Sequence, residues 1–185
     1  VELVSDAELR KNRTMVDRLS SAGIRRALLA LVLSPLVQSP PAAEGAARTN
    51  VFHDPFLAVT NGLPACPVPE GPLLTEAEAK AEAHGRSQRG VSCYLSGRCR
   101  LSNAYLYDQE IVPRVDKAIH ADGRFADTSV WVLGQRRWVF LKGCVKSGAE
   151  SAALERLVKD IDDVEVVINE LLVGTTAKPR YAIEP

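Results

Sequence analysis

Thr128-Ser-Val-Trp-Val-Leu-Gly-Gln-Arg-Arg-Trp-Val-Phe-Leu-Lys-Gly-Cys-Val145 reads as two strands around a tight turn. Both runs are rich in β-branched and aromatic residues, and glycines bound them, which is the hairpin signature. Gly134-Gln135 is the expected turn. Ser147-Gly-Ala-Glu150 follows with the spacing of a capping box. Behind it, Ala152, Ala153, Leu157, Val158 and Ile161 recur at helical spacing. Asp162-Asp163 ends that helix, and Val164 to Val173 is strand-like again.

Val139-x-Leu141-x-Gly143-x-Val145, a Glu-containing helix, then Val164-x-x-Val167-x-Asn169-x-Leu171-x-Val173 together resemble the BON domain, named for bacterial osmotic-stress and nodulation proteins. The resemblance covers residues 103–175 as a single copy. It implies an α+β fold of order α-β-β-α-β, with two helices on one face of a three-stranded mixed sheet. The first helix is then Asp108 to Ala121. Pro113 is awkward inside it, so the helix is expected to start near Val112 or to kink. The resemblance further implies a non-catalytic cell-envelope module, a class often credited with phospholipid binding, and it names no reaction.

The chain has 185 residues with 23 Lys plus Arg against 23 Asp plus Glu, so it carries no basic excess for nucleic acid. Met15 is the only methionine, and Val1 to Thr14 is polar, so the native start is open. Arg18, Arg25 and Arg26 precede the apolar run Ala27 to Val37, and Gly45-x-Ala47 supplies a small-x-small cleavage site. This is the layout of a secretory signal peptide over residues 1–47, and the run is too short to span a bilayer. The expected location is therefore the periplasm or cell envelope. A short buried helix before a Pro-rich linker is the competing reading.

Residues 48–102 form a proline- and cysteine-containing extension. Thr49 to Pro72 is expected to be irregular, yet Phe52, Phe56, Leu57, Val59 and Leu63 require something to pack on. Leu63-Pro-Ala-Cys66 loosely resembles a lipoprotein box, but the residues before it are too polar for a signal core. Thr75-Glu-Ala-Glu78 is a second capping box, opening a short helix Glu76 to Arg86 that Gly85 and Gly90 would end. Val91 to Arg100 is expected to be a loop bounded by Cys93 and Cys99. Residues 176–185 are a C-terminal tail.

Side chains alternate along a strand. Val130, Val132, Val139, Leu141, Val145, Val167, Leu171 and Val173 then face the helices. Trp131, Leu133, Trp138, Phe140, Cys144, Val166, Ile168 and Leu172 face the other way, where a sheet covered on one side would show polar residues. That second apolar face needs a cover or is an interaction site. The extension is the expected cover, fastened by a disulfide to Cys144; a second copy or a membrane is the alternative. Four cysteines allow three pairings in an exported chain. Cys93 with Cys99 closes a tight loop, and Cys66 with Cys144 ties extension to sheet. The paired Cys-x2–4-Cys spacing of zinc sites is missing, and so is a Cys-x-x-Cys redox motif.

His53, His84 and His120 lack metal-ligand spacing, and no phosphate loop, nucleophile elbow or His-Glu-x-x-His is present. Asp162, Asp163 and Glu165 lack the ordered ligands of a calcium loop and suit a solvated helix end. No catalytic residue, metal or cofactor is expected. Arg136 and Arg137 beside Trp138, with Trp131 and Phe140, form the candidate binding surface, for anionic headgroups or an envelope protein. The bland reading is a solvated turn over a packed Trp. The leading expectation is a binding module for phospholipid or another envelope component. The rival is a periplasmic protein-interaction or self-association module using the apolar sheet face.

Overall fold

A computed structural model of the protein describes residues 46–185. Met15, Arg25, Arg26, the apolar run Ala27 to Val37 and Gly45, on which the export reading rests, lie outside the described residues. No helix among the described residues is long and apolar enough to cross a membrane.

The fold is α+β: β1 (Phe56–Asn61), α1 (Glu76–Leu95), a 3-10 turn (Ala104–Tyr107), α2 (Asp108–Asp122), β2 (Ser129–Gln135), β3 (Trp138–Val145), α3 (Gly148–Lys159), β4 (Val166–Asn169) and β5 (Leu172–Val173). From α2 onward the order is α-β-β-α-β, with the third strand broken in two. The sheet is mixed and runs β1-β2-β3-β4, with β5 also on β3. β1, β2 and β3 are antiparallel neighbours, whereas β4 and β5 lie parallel to β3.

The sheet thus has five strands rather than the expected three. One addition is β1, which the extension lays along β2 with an irregularity at Val59. The irregularity lets Val59 reach the main core. The other is the break between Asn169 and Leu172. There Gly143 adopts φ +114°, and a Cβ on it would stand 2.0 Å from the Ser129 carbonyl oxygen, so only glycine fits. Beyond the break Val173 is 54% exposed and not in the core as expected.

The core lies between the helices and one sheet face. Ile111, Val112, Val115 and Ile119 of α2 meet Val130, Val132, Val139 and Leu141, and Leu154 and Val158 of α3 complete it. α2 runs unbroken from Asp108 through Pro113, so the expected late start is not seen. Pro113 costs it one N–H, to the Gln109 carbonyl. Thr75 and Glu78 make the capping box of α1. At α3, Ser147 accepts from the Glu150 N–H, but the Glu150 carboxylate accepts from Lys146 N–H, one residue before the cap.

The helix expected over Glu76 to Arg86 continues to Leu95, through both glycines. Gly90 is there for space: a Cβ would stand 2.4 Å from the Asn103 side-chain oxygen. Cys93 therefore sits in the last turn of α1 rather than in a loop, and bonds Cys99.

The reverse face of the sheet is covered by two segments. Cys66 bonds Cys144, with 5.8 Å between their Cα atoms. Ser129 Oγ donates to the Leu63 carbonyl and accepts from its N–H. The C-terminal tail crosses the same face: Tyr181 accepts from the Gly143 N–H, and Ile183 bridges to Pro69. Trp131, Leu133, Cys144 and Leu172 are buried beneath this cover. The extension therefore covers the reverse face as expected, but shares it with the tail and also lengthens the sheet.

The Cys66–Cys144 bond closes a separation of 78 residues. On the chain-entropy model such a loop contributes about 4 kcal/mol. Replacing both residues by Ala is expected to lower the unfolding free energy by about that much and to shift Trp emission to the red. Denaturant melts followed by fluorescence check this; an unchanged midpoint would mean the cover holds without the bond.

Candidate functional site: the hairpin turn and the reverse-face cleft

The turn between β2 and β3 is Arg136-Arg137, not Gly134-Gln135. Both arginines have left-handed backbones, φ +60° and +67°, as a two-residue hairpin turn of the mirror type demands. Gly134 serves another purpose: a Cβ there would stand 2.8 Å from a Val112 methyl, so it lets α2 cross the hairpin closely.

Asp108, at the first turn of α2, holds the turn in place. Its carboxylate accepts from the Arg136 N–H at 2.6 Å and the Arg137 N–H at 2.8 Å. It is 1% exposed, and burial pushes its pKa up to about 7. The two N–H donors oppose that rise, Asp54 adds to it, and Arg86 opposes it.

The turn sends its two side chains to different places. The Arg136 guanidinium stacks over the Trp138 ring, 4.4 Å from the centroid. Arg137 is taken up by the fold: it donates to the Asp163 carbonyl at 2.8 Å, touches Cys99 Sγ at 3.2 Å and lies over the Tyr107 ring. Of the candidate surface residues, Trp131 is buried, whereas Trp138, Phe140 and Arg136 are partly exposed and come together.

A cavity of about 170 Å³ lies over Trp138 and Phe140, walled by Glu82, Arg86, Arg89, Tyr105, Gln135 and Arg136. A second, of about 220 Å³, shares Glu82, Arg86 and Gln135 with it and reaches Lys142, Glu70 and Arg48. Arg86 is fixed by the Asp54 carboxylate at 2.5 and 3.0 Å and sits between the Phe52 and Tyr105 rings. Gln135 donates to the same carboxylate at 2.6 Å. Arg48 is paired with Glu70. Arg89, Arg136 and Lys142 have no acidic partner within 4 Å among the described residues. Burial holds the Lys142 pKa below the usual lysine range, against the pull of Glu170 and Glu70.

The cleft thus has an aromatic floor, three cations without an acidic partner (Arg89, Arg136 and Lys142) and one acid without a basic one, Glu82, beside the paired Asp54 and Glu70. Sequence reading missed Glu82, Arg86 and Arg89. They lie at i, i+4 and i+7 on α1, one helix face, and that spacing was the available signal. Asp54 and Asp108 had none, since their partners are far along the chain. No cluster of metal-binding side chains occurs among the described residues.

The elements from α2 to β5 have the α-β-β-α-β order with both helices on one sheet face. Residues 107–175 match the BON domain. No curated protein and no solved structure matches the chain. The BON segment supplies Arg136, Trp138, Phe140 and Lys142, whereas α1 and the residues around Asp54 precede it. The cleft is built where the BON domain meets the extension.

Because Asp108 has a folded pKa near 7 and an ordinary unfolded one, it favours the fold below about pH 4. That contribution is lost as pH rises through 7. Asp108→Asn removes the titration. Comparing the two proteins from pH 4 to 8, the wild type is expected to lose a few kcal/mol relative to the variant. Parallel stability curves would mean that Asp108 titrates normally in the fold.

Proposed function

We propose that this protein is a non-catalytic, exported BON-domain module of the bacterial envelope that binds anionic phospholipid at the reverse-face cleft. The observation that carries this reading is Arg136 stacked on Trp138 beside Phe140, facing Arg89 of α1. An aromatic floor with uncommitted cations suits a phosphate headgroup at the polar–apolar boundary. The cavity volumes suit a headgroup rather than acyl chains. Export is supported by the two disulfides, because such bonds persist in oxidising compartments. The non-catalytic reading is supported by the BON match, a family that is generally non-catalytic.

Vesicle co-sedimentation tests it. The protein is expected to pellet with phosphatidylglycerol vesicles and not with phosphatidylcholine. Binding should fall steeply between low salt and physiological salt. Arg136→Glu with Arg89→Glu should weaken binding by roughly tenfold or more, since each cation near an anionic surface contributes about 1 kcal/mol and each reversal also adds repulsion. Equal binding to both vesicle types, or none to either, overturns the assignment.

A further inference from the structure

The sheet edge opposite β1 is open. β4 pairs only with β3. The Glu170 N–H donates to the Leu141 carbonyl at 2.9 Å. Successive residues of a parallel strand turn their backbone groups to opposite sides, so Val166 and Ile168 face β3 while Val167 and Asn169 face outward. No further strand pairs with β4 on that side among the described residues. Edge strands are usually blunted by Lys, Pro or a cover. Val166-Val-Ile-Asn169 contains neither Lys nor Pro.

A groove of about 510 Å³ adjoins this edge where β4 gives way to β5. One wall is α3, with Ser151 and Glu155; the other is the tail, with Lys178 and Arg180, and Glu170 lines the groove between them. Asn169 donates to Ser151 Oγ and to Glu155 Oε2, both at 2.9 Å, which fixes the acidic wall. A strand added here would send alternate side chains to the two walls. One set would meet Glu155, the other Lys178 and Arg180.

We propose that this edge binds an extended segment of a partner protein by strand addition, and that the segment carries basic and acidic side chains in alternation. Main-chain pairing supplies the affinity and the two charged walls supply the selection. A second copy of β4 fits poorly. Antiparallel pairing in centred register would set Glu165 of one copy against Glu170 of the other at both ends, and like charges opposite each other destabilise a sheet. This site is separate from the reverse-face cleft, so either assignment can fail without the other.

The probe is a capped ten-residue peptide of strictly alternating Lys and Glu. A peptide of the same composition, with all Lys before all Glu, is the control. Amide exchange of the labelled protein is read by NMR at low salt. The alternating peptide is expected to slow exchange at Val167 and Asn169 by about tenfold or more, and the control is not. Val167→Pro removes an outward N–H without removing a ladder bond to β3, and should abolish binding. Should that variant not fold, Lys178→Glu with Arg180→Glu, both in the exposed tail, should weaken binding at least about tenfold. The proposal is overturned by unslowed exchange at Val167 and Asn169 in millimolar alternating peptide. It is equally overturned by equal binding of both peptides, by binding that survives Val167→Pro, or by affinity unchanged in the tail variant.

Discussion

A sheet that is apolar on both faces has to be covered twice, and this fold is arranged around that requirement. Val130, Val132, Val139 and Leu141 are covered by α2 and α3, as regular helices cover most one-sided sheets. Trp131, Leu133, Cys144 and Leu172 point the other way and are also buried. Their cover has little regular structure: apart from β1 and α1, its backbone pairing is limited to bridges such as Thr49 with Leu74 and Pro69 with Ile183. Irregular chain gains little from local hydrogen bonding against the entropy of ordering it. A covalent tie from Cys66 to the buried Cys144 reduces that entropy in the unfolded chain, and it acts at the end of the hairpin away from its turn.

The hairpin turn shows how one buried carboxylate settles several questions together. Two consecutive non-glycine residues with positive φ are unfavourable by themselves. Asp108 offsets this by accepting both turn N–H groups, and it does so from the first turn of α2. The same contact therefore fixes turn type, strand register and the placement of α2 on the sheet. It also fixes the directions of the two arginines. Arg136 lies on the reverse face against Trp138, and Arg137 lies among Tyr107, Cys99 and Asp163. Adjacent residues of identical chemistry thus have different roles, one available to a ligand and one structural.

The BON segment was legible because its signals are local or periodic. The alternation of Val130, Val132, Val139 and Leu141, the Ser147 cap and the spacing of α3 each point to the same element. The two disulfide pairs followed from an even cysteine count and the apolar reverse face. What was not legible depends on contacts between distant residues. Gly134 has the composition of a turn residue, yet the closeness of α2, which no local pattern announces, demands it within a strand. Gly85 and Gly90 look like helix ends, yet the helix runs through both, and at Gly90 the close approach of Asn103 makes a small residue an asset. β1 was hidden because Phe56 to Asn61 is short and bulged at Val59. The cleft was half legible: Trp138, Phe140 and Arg136 come from the hairpin, whereas Arg89 and the Arg86–Asp54 pair come from the extension.

That division bears on how the BON domain works in this chain. The segment matching the family contributes the floor of the cleft but only part of its charge. Its other wall is α1, a helix with few apolar side chains that holds its place through specific ties. Arg86 is bound to Asp54 and enclosed by Phe52 and Tyr105, and Cys93 is bonded to Cys99 at the helix's far end. A buried ion pair costs desolvation that its attraction barely offsets, so such a pair is better understood as setting position than as adding stability. Here it sets α1 at the distance that leaves Arg89 across from Arg136. The overall charge of the chain is zero, so long-range attraction to anions cannot come from net charge. At the cleft it would have to come from Arg89, Arg136 and Lys142, the lining cations left without an acidic partner once Arg48, Arg86 and Arg137 are paired within the structure.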